Sequence, residues 1–471
     1  MISNFKSFFF NFFKIENLFL IWLILLPFGS KLVSFSIGFM TIYPGLILTL
    51  ILGIFSIKSM KNWNKFAWIF SVFLLVWLIY AISFVALNGI NQMAIFDVRS
   101  LFMQLMYFIV FLNCFCLIKR DIFFRILKQG ISCYFFILLF FGIFEFFNGI
   151  HFAGDTTAKL VNLPISNIFD APLFLYDNAN DYLLYLIFIY LLKVILTKEL
   201  QENLYQRLFY LVIILIFTLY ADSKLCKFLV ISLISMEVVK YFISKKGLFK
   251  KNMPYLFSLF ILGAIFFNSQ IFYGPRYKNG INYRINGMHF IEKENSEYRV
   301  IDVKKKLNKK EQEEVINFLN WRENTNPNKS TGIRENLILN GTDFIKEKPI
   351  LGIGPGNFRK RHDENKVKNY TGTVNSAHNF PLEIISQYGV FAWIYFAFLI
   401  WIFYQFLYLK FKKKNKSLDY IILFVLCIPV FWLIPSSYLY LDLNWMLIPL
   451  LFIFLHTKGN LSSDINDKIL Y

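Results

Sequence analysis

The stretch FAWIFSVFLLVWLIYAISFVAL, Phe66 to Leu87, holds 22 residues with no charge, no glycine and no proline. A helix rises about 1.5 Å per residue, so a run of this length crosses a hydrocarbon layer about 30 Å thick. A membrane-spanning strand would need only about 10 residues and would alternate apolar with polar positions. Here every face is apolar, which is the pattern of a helix surrounded by lipid and by other helices. Ile131 to Phe144 reads the same way. The expectation is an all-α, polytopic integral membrane protein.

Composition agrees over the whole chain. Of 471 residues, 57% are hydrophobic and 20% aromatic, well beyond what a soluble core needs. About twelve spans are predicted, centred near residues 25, 47, 77, 109, 139, 190, 214, 234, 262, 399, 427 and 448. Residues 16–57 read either as two spans with a tight turn near Ser30-Lys31 or as one span plus a tilted segment broken at Pro44. Basic residues close to a span tend to stay on the cytoplasmic side. They recur in every second connection: Lys58, Lys61 and Lys65; Lys119, Arg120, Arg125 and Lys128; Lys198 and Arg207; Lys245 to Lys251; Lys410 to Lys416. The alternate connections, such as Asn88 to Val98 and Pro435 to Tyr438, are nearly free of them. Both termini are therefore expected in the cytoplasm, with spans 1–9 over residues 1–271, an external loop over 272–381, spans 10–12 over 382–456 and a cytoplasmic tail over 457–471.

The net charge of +19 then needs no nucleic acid to explain it, because much of it is the cytoplasmic lysine excess facing anionic lipid. Cys114, Cys116, Cys133, Cys226 and Cys427 sit in apolar runs, with neither a disulfide framework nor a metal-ligand spacing. No metal and no cofactor is expected. The first apolar run is followed by further spans and not by a clear cleavage site, so it is expected to direct insertion.

The long loop has an organisation of its own. Val303 to Trp321 is charge-rich with spaced apolar residues and is predicted as an exposed helix. Ile333, Leu337, Phe344 and Ile345 recur at helical spacing between Ser330 and Lys346, which predicts an amphipathic helix lying on the membrane or the bundle. Pro349 closes it. That helix carries Arg334 in its first turns and Asn340 on a different face. Gly352, Gly354 and Gly356 make a tight loop that lacks the spacing of a dinucleotide site. Asn379 reads as an N-cap, followed by Pro381 and Glu383, for a helix expected to run into the span near residue 399. His378 immediately precedes that helix.

The series Arg334, Pro349, Gly352-Ile-Gly354-Pro-Gly356-Asn-Phe358, Ala377-His378-Asn379 and Gln387-Tyr-Gly389 resembles the signature loop of the O-antigen ligase and polymerase family. Asp177-Asn-Ala-Asn180-Asp181 before a span resembles an Asn-bearing family motif. Asp222-Ser223-Lys224 stands where family members commonly show Ser-Arg. The resemblance implies a metal-independent glycosyltransferase of the bacterial inner membrane. It takes a glycan from an undecaprenyl-pyrophosphate donor to lipid A core, a growing glycan or a protein hydroxyl. His378 would be general base or acceptor-orienting group, and attack opposite the pyrophosphate would invert configuration.

Chemistry gives each residue a part. A departing pyrophosphate must be stabilised by fixed cations, and a guanidinium matches phosphate oxygens bidentately, so Arg334 is the first choice. Lys224 and Lys227, one helical turn apart, are next, with snorkelling as their plain alternative. Ser223, Asn180 and Asn379 are candidate polar contacts, although capping alone would account for Asn379. Arg99, Arg359 and Arg361 are also in a position to meet phosphate, although solvated external charges explain them at least as well. His151, His289, His362 and His456 receive no role. A flippase for the same lipid-linked sugars is the alternative, but few charges fall inside the spans beyond Glu145 and Lys193.

Overall fold

The computed structural model describes residues 14–29, 35–37, 40–89, 91–148, 172–176, 179–197, 204–221, 223–244, 283–285, 289–294, 297–302, 330–364, 366–369, 371, 374–413, 417–435 and 437–458. The helices are α1 (Ile15–Leu25), α2 (Pro44–Ser56), α3 (Lys65–Asn88), α4 (Gln92–Leu117), α5 (Arg120–Asn148), α6 (Ala179–Thr197), α7 (Leu204–Tyr220) and α8 (Lys224–Ser244). They continue with α9 (Ser330–Glu347), α10 (Asn357–Asp363), α11 (Phe380–Tyr388), α12 (Val390–Lys413), α13 (Ser417–Phe431) and α14 (Asp442–His456). Every predicted span centre except the one near 262, which lies outside the described residues, falls on one of these helices. Six helical stretches among the described residues are long and apolar enough to cross a membrane: Pro44–Asn62, Lys65–Asn88, Gln92–Leu117, Arg120–Asn148, Ala179–Thr197 and Val390–Lys412. Four shorter apolar helices accompany them. The chain is an integral membrane protein. The proposed exposed helix over Val303 to Trp321 lies outside the described residues.

Short strands join this helical frame, contrary to a purely helical expectation. β1 (Phe35–Ile37) and β2 (Met40–Ile42) pair antiparallel, Phe35 opposite Ile42. β3 (Tyr283–Ile285), β4 (His289–Glu294) and β5 (Glu297–Asp302) form a three-stranded antiparallel sheet, with Glu294 opposite Glu297. Pro44 opens α2 at its first turn instead of breaking a span, since its missing N–H is no loss there.

The chain divides into two compact units. One comprises Met1–Phe136, Ile189–Lys198 and Ile333–Tyr471; the other comprises Ile137–Phe188 and Glu199–Gly332. In the first, α4 packs against α2, α3 and α14. Trp22 of α1 donates to Thr49 Oγ1 at 2.8 Å and lies 4.9 Å from the Tyr107 ring. Phe66, Ile69, Val72, Val76 and Ile79 leave one side of α3 exposed, as a lipid-facing helix does. Lys193 is buried over Phe135 and Phe136 at 5.4 and 5.5 Å, so its charge rests on two ring faces.

In the second unit, Glu145 Oε2 accepts from the backbone N–H groups of Leu173 and Phe174 at 2.6 and 2.7 Å. That intramembrane carboxylate thus fastens a loop. Tyr182 donates to the Leu138 carbonyl, and Arg207 pairs with Glu237 at 3.0 Å between α7 and α8.

Candidate active site

The second half of the predicted external loop folds around a small core of Leu337, Phe344, Ile353, Phe358 and Ala377, flanked by Ile333, Val367 and Val374. Burying each large apolar side chain contributes about 1.5–3 kcal/mol. The apolar stripe of α9 therefore packs on its own loop, and not on a membrane surface as one reading of its periodicity held. Asn340 clasps the far side. It donates to the Asn369 carbonyl at 2.7 Å, accepts from the Asn369 backbone at 3.0 Å, and meets His362 Nε2 at 3.2 Å. His362 is a core residue, with Nδ1 2.7 Å from the Phe358 carbonyl and its ring stacked 4.7 Å from Phe358.

The glycine loop closes this core onto two neighbours. Ile353 and Gly354 donate to the carbonyls of Ser386 and Gln387, both at 2.9 Å, which satisfies the C-terminal end of α11. Gly352, Gly354 and Gly356 all have positive φ. A Cβ on Gly352 would lie 2.3 Å from the Gln387 carbonyl carbon. Gly356 donates to Asp97 Oδ2 of α4 at 2.8 Å. The expected continuous helix from Asn379 into the span is interrupted: α11 stops at Gly389, where φ is +52, and Val390, the first residue of α12, donates back to the Ile350 carbonyl at 2.8 Å.

Asp97 is fully buried and is the hub of the arrangement. Its carboxylate accepts from Gly356, from the Tyr388 hydroxyl at 2.9 Å and from the Tyr440 hydroxyl. Glu383, also fully buried, has Ser437 Oγ within 2.8 and 2.7 Å of its two oxygens. Arg359 lies over the Tyr440 ring, 4.4 Å from its centroid. Of the two readings of Arg359, this sets aside the solvated one, because its Nε is buried beside the ring. Arg361 does take the solvated position, with a bidentate pair to Glu347 at 2.5 and 2.9 Å. Arg99 also departs from a plain solvated charge, since it lies 5.8 Å from the Tyr43 ring centroid and acts on the half-buried Asp442.

His378 stands where these pieces meet. Its φ of +48 is uncommon for a residue other than glycine. Its Nδ1 is buried and has no hydrogen-bond partner among the described residues. Burial first, then the charges of Arg334 and Arg359, bring the imidazole down to about 4, so it is neutral at pH 7. Asn379 caps α11, accepting from Leu382 N at 3.2 Å, and so locks the turn that carries the imidazole.

Residues 208–397 match the O-antigen ligase family. This O-antigen ligase segment covers less than half of the chain but includes α9, α10, α11 and the glycine loop. The chain is also 28% identical over 122 residues to the teichuronic acid biosynthesis protein TuaE of Bacillus subtilis (strain 168), a match covering 25% of each protein. Within the O-antigen ligase segment, the structure groups Arg334 and His378 with Arg359. Asn180, Ser223, Lys224 and Lys227 belong to the second unit. There Ser223 and Lys227 are buried, the Lys227 backbone donates to the Ser223 carbonyl at 2.9 Å, and Asn180 Oδ1 has no partner among the described residues. Lys224 opens α8.

Asp97, Tyr440 and Ser437 belong to no motif in the sequence, and Tyr388 stands inside Gln387-Tyr-Gly389 without a role of its own. Asp97 offered a signal: an acidic residue five places from Gln92, a few residues into a long apolar helix, where an unpaired charge is unfavourable. The surrounding Asn88–Val98 stretch, poor in lysine and arginine, reads as a connection and hides it. The helix starts at Gln92 behind an Asn91 cap, which draws Asp97 into the protein.

Proposed function

We propose that this protein is a glycosyltransferase that moves an oligo- or polysaccharide from an undecaprenyl-pyrophosphate carrier to an acceptor hydroxyl at the external face of the inner membrane. The observation that carries this reading is a neutral, unpartnered imidazole under the influence of two guanidiniums. A neutral His378 accepts the proton of the acceptor hydroxyl as its oxygen attacks the anomeric carbon. The carbon–oxygen bond to the carrier phosphate breaks, and Arg334 stabilises the charge left on the pyrophosphate. Attack from the opposite side inverts configuration. Likeness to a protein of teichuronic acid biosynthesis supports a polysaccharide product. Lys224, Lys227, Ser223 and Asn180 are proposed as further donor or acceptor contacts.

The reading is tested in a strain that lacks the native protein. Arg334→Ala, produced at wild-type level, is expected to remove most surface glycan on a gel; an unchanged ladder would discard the role of Arg334. In the null strain, glycan reduced to a single repeat unit marks a polymerase. Polymer retained on the carrier marks a ligase.

Orientation has its own test. Lys366 is 70% exposed in the loop. Lys366→Cys in a background free of the five native cysteines is expected to react with an impermeant maleimide in intact spheroplasts. Reaction only after lysis would place the loop, and the chemistry, in the cytoplasm.

A further inference from the structure

Arg359 is the third residue of α10, and its surroundings are unusual for a cation. Its Nε is buried with no acceptor among the described residues. Asp97, Glu383 and Asp363 are near enough to act on its charge, yet among the described residues no carboxylate closes an ion pair with it. A guanidinium carries five N–H donors and stays charged at any physiological pH. The residue as a whole is half-buried, and a buried Nε left without an acceptor is unfavourable, so the position suits a ligand that supplies acceptors. The ring of Tyr440 holds its plane, and Asp97 holds both that ring, through the Tyr440 hydroxyl, and the start of α10, through Gly356 N. Arg359 also acts electrostatically on His378, as Arg334 does.

We propose that Arg359 is a second ligand of the pyrophosphate leaving group, working with Arg334, and that Asp97 is the residue that positions it. This rests on the transfer reading above. When the anomeric carbon–oxygen bond breaks, the electron pair stays on the carrier phosphate and the acceptor proton goes to His378. Two phosphoryl groups then share the new charge, and two planar forks match them better than one. The buried carboxylates of Asp97 and Glu383 offset Arg359 before the donor arrives, which lets the fold tolerate it.

The test uses the full-length protein in detergent with inorganic pyrophosphate as the probe, read by thermal unfolding through its nine tryptophans. Pyrophosphate is expected to raise the unfolding midpoint of the wild type and of Arg361→Gln alike, because Arg361 is already paired with Glu347. Arg359→Gln should need at least about tenfold more pyrophosphate for the same shift and should lose about 100-fold in kcat. Arg359→Lys, which keeps the charge without the fork, should fall between them and serves if Arg359→Gln does not fold. A wild-type titration curve in Arg359→Gln overturns the assignment while leaving His378 and Arg334 in place. Pyrophosphate binding that depends on Arg359, in cells where Arg334→Ala and His378 variants keep full glycan, retains the anion site and discards the transfer reading.

Discussion

His378→Asn is expected to fold and insert normally and to lose glycan transfer by about 10²–10⁴-fold in kcat/KM, the usual contribution of a general base. Asparagine is the informative replacement because the backbone at 378 has φ of +48. Asparagine enters this left-handed region readily, whereas alanine would add about 1–2 kcal/mol of backbone strain and confuse the result. Nothing hydrogen-bonds to Nδ1 among the described residues, so removing the ring leaves no partner stranded there. In the wild type, an imidazole at about 4 is the free base throughout the neutral range. Activity as kcat/KM should therefore hold as pH falls through 6.5 and decline only near pH 4. Two cations hold that value down together with burial, so a bound polyanionic donor should raise it. The acid limb of kcat should accordingly lie at higher pH than that of kcat/KM. Purified protein with a lipid-linked donor checks both limbs, and a kcat/KM limb at an ordinary histidine value would remove the assigned environment.

The largest structural effect is expected at Gly356. Its φ is +70, and a Cβ there would lie 2.2 Å from the backbone nitrogen of Ala94 and 2.4 Å from the Met93 carbonyl carbon. Backbone cannot rotate out of the way as a side chain can. Gly356→Ala should cost at least about 3 kcal/mol from left-handed strain and overpacking combined. It should also pull Gly356 N away from Asp97, so residual folded protein should be inactive. Gly89→Ala is the control: φ is +88 and ψ 149, but nothing among the described residues lies within 4 Å, so only backbone strain of about 1–3 kcal/mol applies, without the clash. Thermal unfolding in detergent measures both, and equal destabilisation of the two would mean that the contact with α4 is loose.

The helices were legible because apolar runs of membrane length have few alternatives, and Pro44 and Asn379 mark helix starts by local chemistry alone. The loop was legible at Arg334, His378 and the glycines, where residue type and spacing act over a few turns. What was missed is long-range. The contact between Asp97 and Gly356 joins residues 259 apart, and no local pattern announces it. Arg359 sits beside Lys360 and Arg361, and nothing local decides between a phosphate contact and a solvated charge; the ring of Tyr440 sets it apart from the other two. The break at Gly389 had a signal in the glycine itself, but its cause is the Ile350 carbonyl, which leaves no room for a Cβ. The β4–β5 pairing left little trace, since only Glu297 to Val300 alternates and β4 runs His-Phe-Ile-Glu-Lys-Glu.

The bond from Tyr440 to Asp97 links the fourth helix to the approach of the last one, 343 residues later. A ribosome delivers Asp97 early and the imidazole much later, yet the ring beneath Arg359 arrives only with the approach to α14. A nascent or truncated chain that stops before Tyr438 carries every motif of the O-antigen ligase segment and still lacks the fastening that aligns them. The alignment of the loop thus depends on a segment that lies outside the family match and is made after it. Fragments chosen by motif boundaries alone would be poor surrogates for the whole.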